Sequence, residues 1–370
     1  MYLGIESATE FAAQASKLVS RDDEHLLIFL AKASEPHLDA VIAGLDAAKV
    51  SFFGGIFPGL ILGTEVMDAG AIVRPVRVQG QPAIAALADG KVTWVNALPE
   101  DVQTSNTPTC LIISDFSCLA VDNLLEEMFN RHASDINYFG AGAGMGVREP
   151  QPVVFTNQGR FAGSAVLAYL DMEMEVDLRH GWSRLSDPIV ANRTSGNTLN
   201  ELDWVPAMDV YRDIVGASVA ESLNQKQDVP RAKCFPFGIA REGLEDVIRD
   251  PIMAIEDQDL VVLSNVPENA VLHVMEGRPD ELISAAARLG GAFAQSNRKR
   301  ECLLFDCFSR AKLLGERFTE ELQSFDTELR MRVGPCETEG VLALGEIASD
   351  GMRLPDFHNK TMAAALIDAN

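Results

Sequence analysis

Short, almost unbroken apolar runs recur along this chain, and each is followed by a segment with helical periodicity. Residues 25–31, 109–114 and 302–305 have the length of a strand and are almost entirely apolar. Such runs are typical of strands buried on both faces of a sheet. Hairpin-like apolar pieces follow the early strands, which indicates mixed rather than purely parallel sheets. We therefore predict an α/β (α+β) fold with mixed β-sheets flanked by helices.

An internal sequence similarity, which we call the internal echo, indicates how these sheets are arranged. Residues 110–115 (CLIISD) resemble residues 302–306 (CLLFD), and each run precedes a helix, a glycine-bearing strand and a loop with proline. Residues 155–157 (FTN) and 357–359 (FHN) fall at matching places afterwards. Chance similarity explains the echo as well as an old duplication does. A duplication would give two related halves with a cleft between them.

Length is compatible with this division. At 370 residues the chain is long enough for two domains of ordinary size. The stretch near residues 180–198 is rich in turn residues and is the best candidate for the junction. We therefore predict one domain over residues 1–185 and a second over residues 186–370.

The overall charge argues against two classes of partner. The sequence has 31 Lys and Arg against 54 Asp and Glu, which gives a formal charge of -23 at pH 7. Such a field repels phosphate backbones and anionic lipid surfaces, so we expect neither nucleic acid nor membrane binding. No export signal opens the chain, no apolar run approaches the ~20 residues of a membrane span, and six cysteines are too sparse for a disulfide framework. We expect a reduced, soluble, cytoplasmic protein.

Polar and ionisable residues collect at strand ends in the last quarter of the chain. Strand ends are rigid, and the loops that follow them leave side chains free to face a cleft. We therefore predict a small-ligand site there, with help from equivalent strand ends of the first half. The predicted ligand-binding residues are Cys307, Arg310, Gly345, Glu346, His358, Asn359 and Thr361, together with Gly142 and Asn157.

Four of these residues can contact charged or polar groups of a small ligand. The guanidinium of Arg310 can clamp a carboxylate in bidentate fashion, and Glu346 can accept from an ammonium group. Asn359 both donates and accepts, and Gly345 lets backbone approach closely. The alternative for Glu346 and Asn359 is that they are loop residues whose hydrogen bonds hold the strand ends together.

Other chemistries fit the sequence less well. The glycine run at 140–146 lacks dinucleotide-binding spacing and no helix follows it, so it favours a strand end where backbone packs tightly. No pair of Cys or His has metal-ligand spacing, and neither a nucleophile elbow nor a P-loop is present. An enzyme with Cys307 as nucleophile and His358 as base remains open, because Arg310 and a helix start near this thiol favour the thiolate. Binding is preferred to catalysis.

The same residues resemble a known family. The segment Leu344-Gly345-Glu346-Ile347, followed by Phe357-His358-Asn359-x-Thr361, resembles the terminal signature of the FIST family, and Cys307-x-x-Arg310 is similar to its cysteine–arginine turn. Residues 202–211 resemble the entry to the FIST C-terminal domain, and residues 139–144 with 154–157 resemble the end of the N-terminal domain. The likeness extends from about residue 25 to 367. One departure is at residues 54–59 (GGIFPG), where the family usually carries a Thr-x-Gly-Glu turn.

The resemblance implies a sensory module for signal transduction that binds a small, amino-acid-like ligand and is not an enzyme. The chain shows no kinase, receptor or output domain, so we expect the signal to pass to a separate partner. One branch of the family implies an alternative, a haem-based nitric oxide sensor that regulates a histidine kinase. The candidate haem ligands are His180, His273 and His358.

Overall fold

The computed structural model describes residues 1–99, 102–103, 107–146, 149–225, 234–296, 298–349 and 354–368. The described residues form five sheets, and three of these contain both parallel and antiparallel strand pairs. The α+β class predicted from the apolar runs is confirmed. None of the described helices is both long and apolar enough to cross a membrane.

Three large sheets follow one plan. Each contains two parallel strands joined by a helical segment, and a later strand that pairs antiparallel with the first of them. We call these units the first repeat (residues 24–77), the second repeat (109–170) and the third repeat (300–368). Their parallel pairs are Glu24–Ala31 with Phe52–Phe57, Thr109–Asp115 with Asn137–Ala143, and Arg300–Cys307 with Cys336–Ala343; the later strands are Ala71–Arg77, Ser164–Leu170 and Met362–Asp368.

A hairpin from each repeat crosses to the sheet of another repeat. Gly59–Leu62 of the first repeat pairs with the third, Val154–Thr156 of the second pairs with the first, and Glu346–Ser349 of the third pairs with the second. Every repeat therefore gives one hairpin and receives one, so the three sheets form a closed ring.

The strand orders complete this description. The first sheet runs Tyr2–Leu3, Ala71–Arg77, Glu24–Ala31, Phe52–Phe57, Val154–Thr156, Gly159–Phe161. The second runs Asp356–His358, Glu346–Ser349, Asn137–Ala143, Thr109–Asp115, Ser164–Leu170, Ala83–Ala88, Lys91–Trp94. The third runs Glu175–Arg179, Met362–Asp368, Arg300–Cys307, Cys336–Ala343, Gly59–Leu62, Glu65–Met67.

A glycine at one equivalent position marks all three repeats. It lies on the second parallel strand, and a Cβ there would be 1.7 to 2.1 Å from the carbonyl oxygen of the facing residue on the first strand. Only glycine lets the backbones approach this closely. The pairs are Gly54 with Ile28, Gly140 with Ile112, and Gly340 with Leu304.

These pairs define which parts of the internal echo are real. Ile112 and Leu304 occupy one position, so the match of residues 110–115 with 302–306 is confirmed, and residues 26–31 add a third copy. The match of residues 155–157 with 357–359 is wrong. Phe155 faces the glycine of the first repeat as Ile347 faces that of the second, whereas Phe357 lies on the following strand. A similarity of three letters does not reveal register.

The glycines at 54 and 55 lie inside a strand. The sequence suggests a turn over residues 54–59, but Phe52–Phe57 is a continuous strand with every residue buried. The segment in which this sequence lacks the Thr-x-Gly-Glu pattern therefore begins inside a buried strand. Its backbone packs against the second repeat there, with Gly55 close to Ile113 and Ala143.

Helices cover the outer faces of the sheets, while the inner faces share one core. Phe305 stacks on Phe139 with ring centroids 4.4 Å apart and meets Phe29 edge-on at 5.6 Å, so all three repeats contribute to it. Apolar helix faces bury the outer sides, which is the amphipathic arrangement that stabilises such layers. The helices are Ala8–Ala15 and Leu38–Ala47 on the first sheet, Val121–His132 on the second, and Pro279–Gly290, Phe308–Leu314 and Phe318–Val333 on the third.

A smaller β-rich body, which we call the middle unit (residues 183–276), lies between the second and third repeats in sequence. It has its own hydrophobic core, which includes Met208, Tyr211 and Phe237. One of its sheets contains Ser183–Arg184, Val271–Glu276, Phe237–Ile239 and Val247–Arg249, with Ile189–Val190 beside the second strand. The other contains Arg193–Ser195, Thr198–Leu202, Asp259–Val262 and Pro251–Ile255, with Val205–Pro206 beside Thr198–Leu202; helices Ala207–Val215 and Ala217–Ala220 follow.

Candidate functional site

A cleft of about 1000 Å³ lies between the middle unit and the ring of repeats. The edge strand Glu175–Arg179 of the third sheet forms one wall. The strand Asp356–His358 and the end of Glu346–Ser349 form a second wall, and residues 240–245 of the middle unit form a third. The volume is at the upper end of the range typical of small-molecule sites.

Paired charges line this cleft. Arg184 donates Nε and Nη2 to Asp246 at 2.8 and 2.7 Å, and Arg241 holds Asp356 through Nη1 and Nη2 at 2.7 and 2.8 Å. Both arrangements are bidentate, and each leaves N–H groups on the guanidinium that its carboxylate does not occupy. The Arg184 side chain is 47% exposed, which makes it the cleft cation most open to a ligand anion among those in the described residues.

Carboxylates supply the opposite charge. Glu245 lies on the cleft wall and contacts the His180 imidazole, with Oε2 at 3.1 Å from Nε2. Asp177 Oδ1 lies 2.5 Å from Arg179 Nη1. Burial raises the pKa of the Asp177 carboxyl. The cleft therefore offers both guanidinium and carboxylate groups to a ligand that carries both charges.

His358 is the predicted site residue that reaches the cleft wall. Burial, opposed by Asp356, lowers the pKa of its imidazole to about 4, so the ring is neutral at physiological pH. Its Nδ1 has no hydrogen-bond partner among the described residues. A neutral imidazole can donate, accept or bind a metal.

Behind this wall, three other predicted residues, Cys307, Glu346 and Thr361, meet in a buried polar cluster. The thiol of Cys307 lies 3.3 Å from the Lys360 amide nitrogen and 3.3 Å from the Ser309 hydroxyl. The backbone N–H of Thr361 donates to Glu346 Oε2 at 3.3 Å, and that of Cys307 donates to the Thr361 carbonyl at 3.2 Å. The prediction that the ends of these strands converge is therefore correct, but the groups are enclosed by protein.

The Glu346 carboxyl of this cluster has a raised pKa. Burial raises its pKa well above the ordinary value, and the nearby Cys307 and Asp306 raise it further. At a pH between the unfolded pKa of 4.5 and the higher folded pKa, the folded protein therefore keeps a proton that the unfolded chain releases. Stability from this group is fully present below the unfolded pKa of 4.5 and is lost as pH rises through the folded pKa.

We expect Glu346→Gln to remove this pH dependence, since glutamine keeps the neutral shape. The unfolding free energy of the variant relative to the wild type should rise between about pH 5 and about pH 8, as measured by urea titration. Glu316→Gln, at an exposed glutamate, is the matched control and should show no trend. A relative stability of Glu346→Gln that stays constant with pH would mean that Glu346 is ionised in the fold.

Lys360 is a site residue that the sequence does not single out. Its side chain is fully buried, with Nζ 3.1 Å from Asp250 Oδ2 of the middle unit and 3.5 Å from the Ser309 hydroxyl. The ammonium also lies 5.2 Å from the centre of the Trp182 ring, a cation–π geometry. Because a buried charge must be paired, this lysine links the third repeat to the middle unit.

Two family models match this chain, the FIST N domain over residues 25–205 and the FIST C domain over residues 207–349. The chain belongs to the FIST family. FIST domains are associated with small-ligand sensing in signal transduction, and they are sensory rather than catalytic, which is consistent with the expectation that this protein is not an enzyme. No curated protein matches the chain. The predicted boundary between residues 185 and 186 stays a prediction.

Arg310 has a different role in this FIST protein from the one predicted. Its Nε donates to Glu321 at 2.7 Å, Nη2 to the Leu282 carbonyl at 2.8 Å, and Nη1 to the carbonyls of His180 and Lys360. The side chain is completely buried. The guanidinium is therefore fully used inside the protein and does not clamp a ligand carboxylate in this conformation.

Asn157 is also a structural residue. Its amide nitrogen donates to Asp46 at 2.7 Å and to the Val50 carbonyl at 2.9 Å, and its oxygen accepts from the Phe52 amide at 2.8 Å. These contacts fix the start of the strand Phe52–Phe57 in the first repeat. The prediction that Asn157 joins the ligand site is not supported, because its donors and acceptor are already used there.

Gly142 and Gly345 are packing residues. The Gly142 amide donates to the Gly345 carbonyl at 2.8 Å, and a Cβ at Gly142 would be 2.9 Å from the Leu344 carbonyl. Gly345 has φ +131, and a Cβ there would be 2.2 Å from the Phe357 ring. Close backbone approach, predicted for Gly345 toward a ligand, is used here to join the second and third repeats.

Asn359 lies in the turn before the last strand of the third repeat. The side chain is buried. Its Nδ2 donates to the His358 carbonyl at 3.0 Å, and its Oδ1 has no hydrogen-bond partner in the described part of the chain. The backbone carbonyl of Asn359 accepts from the Thr361 hydroxyl at 2.8 Å. The turn is therefore held largely by its own bonds, which agrees with the alternative that these are loop hydrogen-bonders.

The three candidate haem ligands differ in whether their ring nitrogens already have hydrogen-bond partners. Both nitrogens of His180 have partners, Glu245 and the Trp182 amide, and His273 Nδ1 contacts the Ser186 carbonyl at 3.0 Å. His358 combines a neutral ring with a place on the cleft wall. Of the three, His358 fits an axial ligand best.

Proposed function

We propose that this FIST protein senses a small, amino-acid-like ligand in the cleft between the middle unit and the repeats, and passes the signal to a separate protein. The observation that carries this proposal is the cleft itself, which has both guanidinium and carboxylate groups on its walls. A cytoplasmic location belongs to the same proposal, supported by five buried cysteines that are free thiols.

The chemistry of the walls assigns the two ends of the ligand. The exposed edge of the Arg184 guanidinium faces a ligand carboxylate, since Asp246 occupies only Nε and Nη2. Glu245 is the best acceptor for an ammonium group, because it lies on the wall and is only partly buried. This replaces the role predicted for Arg310.

The position of the cleft supplies a way to signal. Polar contacts hold the middle unit to the third repeat around it, including Lys360 to Asp250 at 3.1 Å and Arg249 Nη1 to the Phe357 carbonyl at 3.0 Å. A ligand that touches both bodies favours the arrangement in which they are close. Binding then shifts the population of arrangements that a partner can recognise.

Thermal-shift screening of amino acids and small carboxylic acids tests the proposal, because a ligand that binds only the folded state raises Tm. For any hit, Val271→Trp should fill the cleft and weaken affinity by about ten-fold or more. Val271 lines the cleft and is 41% exposed. Val66→Trp, at a valine 42% exposed outside the cleft, is the matched control and should bind normally. Equal affinity in both variants would place the ligand elsewhere.

Haem is the second candidate ligand, favoured by the neutral His358 imidazole at the cleft wall. When bound, haem supplies iron that takes a diatomic gas, and the cleft arginines suit its two propionates. A Soret band after reconstitution, lost in His358→Ala and kept in His273→Ala, is the expected result for this candidate. A histidine kinase is then the partner class.

A further inference from the structure

One wall of the cleft is a strand seen from its edge. Four consecutive residues of Glu175–Arg179 line the cleft, namely residues 176 to 179. The face of a strand presents alternate residues, so a consecutive set shows that the cleft meets the strand at its hydrogen-bonding edge. The strand is also the last one of the third sheet, paired only with Met362–Asp368 among the described strands.

The backbone on that edge is held by side chains of the same strand. The Leu178 amide donates to Asp177 Oδ1 at 2.7 Å, and the Leu178 carbonyl accepts from Arg179 Nη1 at 2.5 Å. In an antiparallel pair alternate residues direct both groups away from the partner strand. Val176, two residues earlier, therefore directs its N–H and C=O to the cleft as well.

We propose that the ligand of the cleft is a short peptide that adds to Glu175–Arg179 as an extra strand. This rests on the proposed function and narrows the ligand class from amino-acid-like molecules to extended peptides. The peptide backbone would take the places of the Asp177 and Arg179 side chains at Leu178. Main-chain bonds then supply affinity, and pockets for alternate side chains supply selectivity.

Charge narrows the peptide further. Displaced from Leu178, Asp177 and Arg179 lie two residues apart on one face of the strand, so residues directly opposite them can be basic and acidic. Glu245 and Arg241 on the facing walls add one charge of each sign. A peptide with a basic and an acidic side chain two positions apart is complementary to this pattern.

The dimensions agree with a ligand of this size. The five residues of Glu175–Arg179 span about 13 Å at the rise of an extended chain. A cleft of about 1000 Å³ is larger than a single amino acid needs and accommodates a few residues in extended form. An unpaired strand edge inside a cleft is protected from pairing with whole proteins yet open to a short peptide.

The test uses two blocked pentapeptides, acetyl-Val-Lys-Val-Glu-Val-amide and acetyl-Val-Glu-Val-Lys-Val-amide, titrated calorimetrically into the full chain beside the free amino acids. The blocked ends remove the charges that a free amino acid would use. Leu178→Pro removes the edge N–H without touching the ladder to Met362–Asp368, whereas the matched variant Leu178→Ala keeps it. As a check that needs no variant, the same peptides are made with an N-methyl group on the central valine.

The expected result is binding of at least one peptide that weakens about ten-fold or more with Leu178→Pro and with N-methylation, and that weakens much less with Leu178→Ala than with Leu178→Pro. Peptide binding that tolerates both changes overturns strand addition. Binding of free amino acids without either peptide overturns the peptide class and leaves the proposed function standing. Binding of no amino acid, acid or peptide overturns both proposals.

Discussion

Replacement of Arg310 by methionine is expected to lower the free energy of unfolding by about 3–5 kcal/mol. The guanidinium is completely buried and bonds Glu321 together with carbonyls of His180, Leu282 and Lys360. Methionine fills similar volume but leaves these acceptors without donors in a dry site, which costs their full desolvation. Urea titration followed by circular dichroism measures the loss.

An exposed arginine provides the matched control. Arg317 also makes two carboxylate contacts, to Glu320 at 2.9 Å and Asp280 at 2.8 Å, but its side chain is 41% exposed. Arg317→Met should therefore destabilise the protein far less than Arg310→Met, because solvent screens exposed ion pairs. Equal losses in the two variants would contradict the buried role of Arg310.

A double variant separates charge from packing. Burial raises the pKa of Glu321 despite the neighbouring guanidinium, so this carboxylate has a high desolvation cost that only Arg310 offsets. Arg310→Met combined with Glu321→Leu removes both charges and should recover part of the loss. Strictly additive losses would mean that the two side chains contribute by packing alone.

The second large effect is expected at the three equivalent glycines. Gly54→Ala, Gly140→Ala and Gly340→Ala should each lower the free energy of unfolding by about 3 kcal/mol, because the new Cβ meets a backbone carbonyl that cannot move aside. The approach is closest at Gly340, where the Cβ would be 1.7 Å from the Leu304 carbonyl oxygen. Loss of soluble protein in all three variants would agree with this expectation.

Gly4→Ala is the control, since nothing lies within 4 Å of a Cβ there and its φ is not in the left-handed region. It should change stability by less than about 0.5 kcal/mol. If one of the three glycine variants is as stable as this control, the strand pair of that repeat does not have the close approach described above. The threefold repeat would then lose one of its members.

The repeats can be predicted from sequence only where apolar runs are continuous. Residues 110–115 and 302–306 match because a strand buried on both faces has few choices of residue. The first repeat cannot be recognised by the same similarity, because its run ends in Leu30 and Ala31 where the other two runs end in an aspartate. The exchange of hairpins leaves no trace in periodicity, since pairing register is decided by distant backbone contacts.

The apolar periodicity of residues 313–327 predicts a single helix, and this region shows the same limit. The structure divides this region into Phe308–Leu314 and Phe318–Val333, separated at Gly315 with φ +55. That break lets Glu321 approach Arg310, eleven residues earlier in sequence. When the periodic pattern is interpreted as one helix, nothing in the sequence shows that Glu321 binds the guanidinium of Arg310.

The candidate site is predictable only in part. The strand ends near Cys307, Glu346 and Thr361 do converge, because parallel and hairpin strands bring their ends together. Lys360 gives no signal in the sequence, since a lysine in a turn is usually solvated and its partner Asp250 lies in the middle unit. The cleft arginines come from segments that no local pattern connects.

Hydrogen exchange measured by mass spectrometry, with and without a ligand from the thermal-shift screen, tests most directly whether the cleft is the sensing site. The prediction is slower exchange at residues 175–179, 240–245 and 356–358, one segment from each of its three walls. Slower exchange confined to other segments, with these three unchanged, would contradict the assignment of the ligand to this cleft.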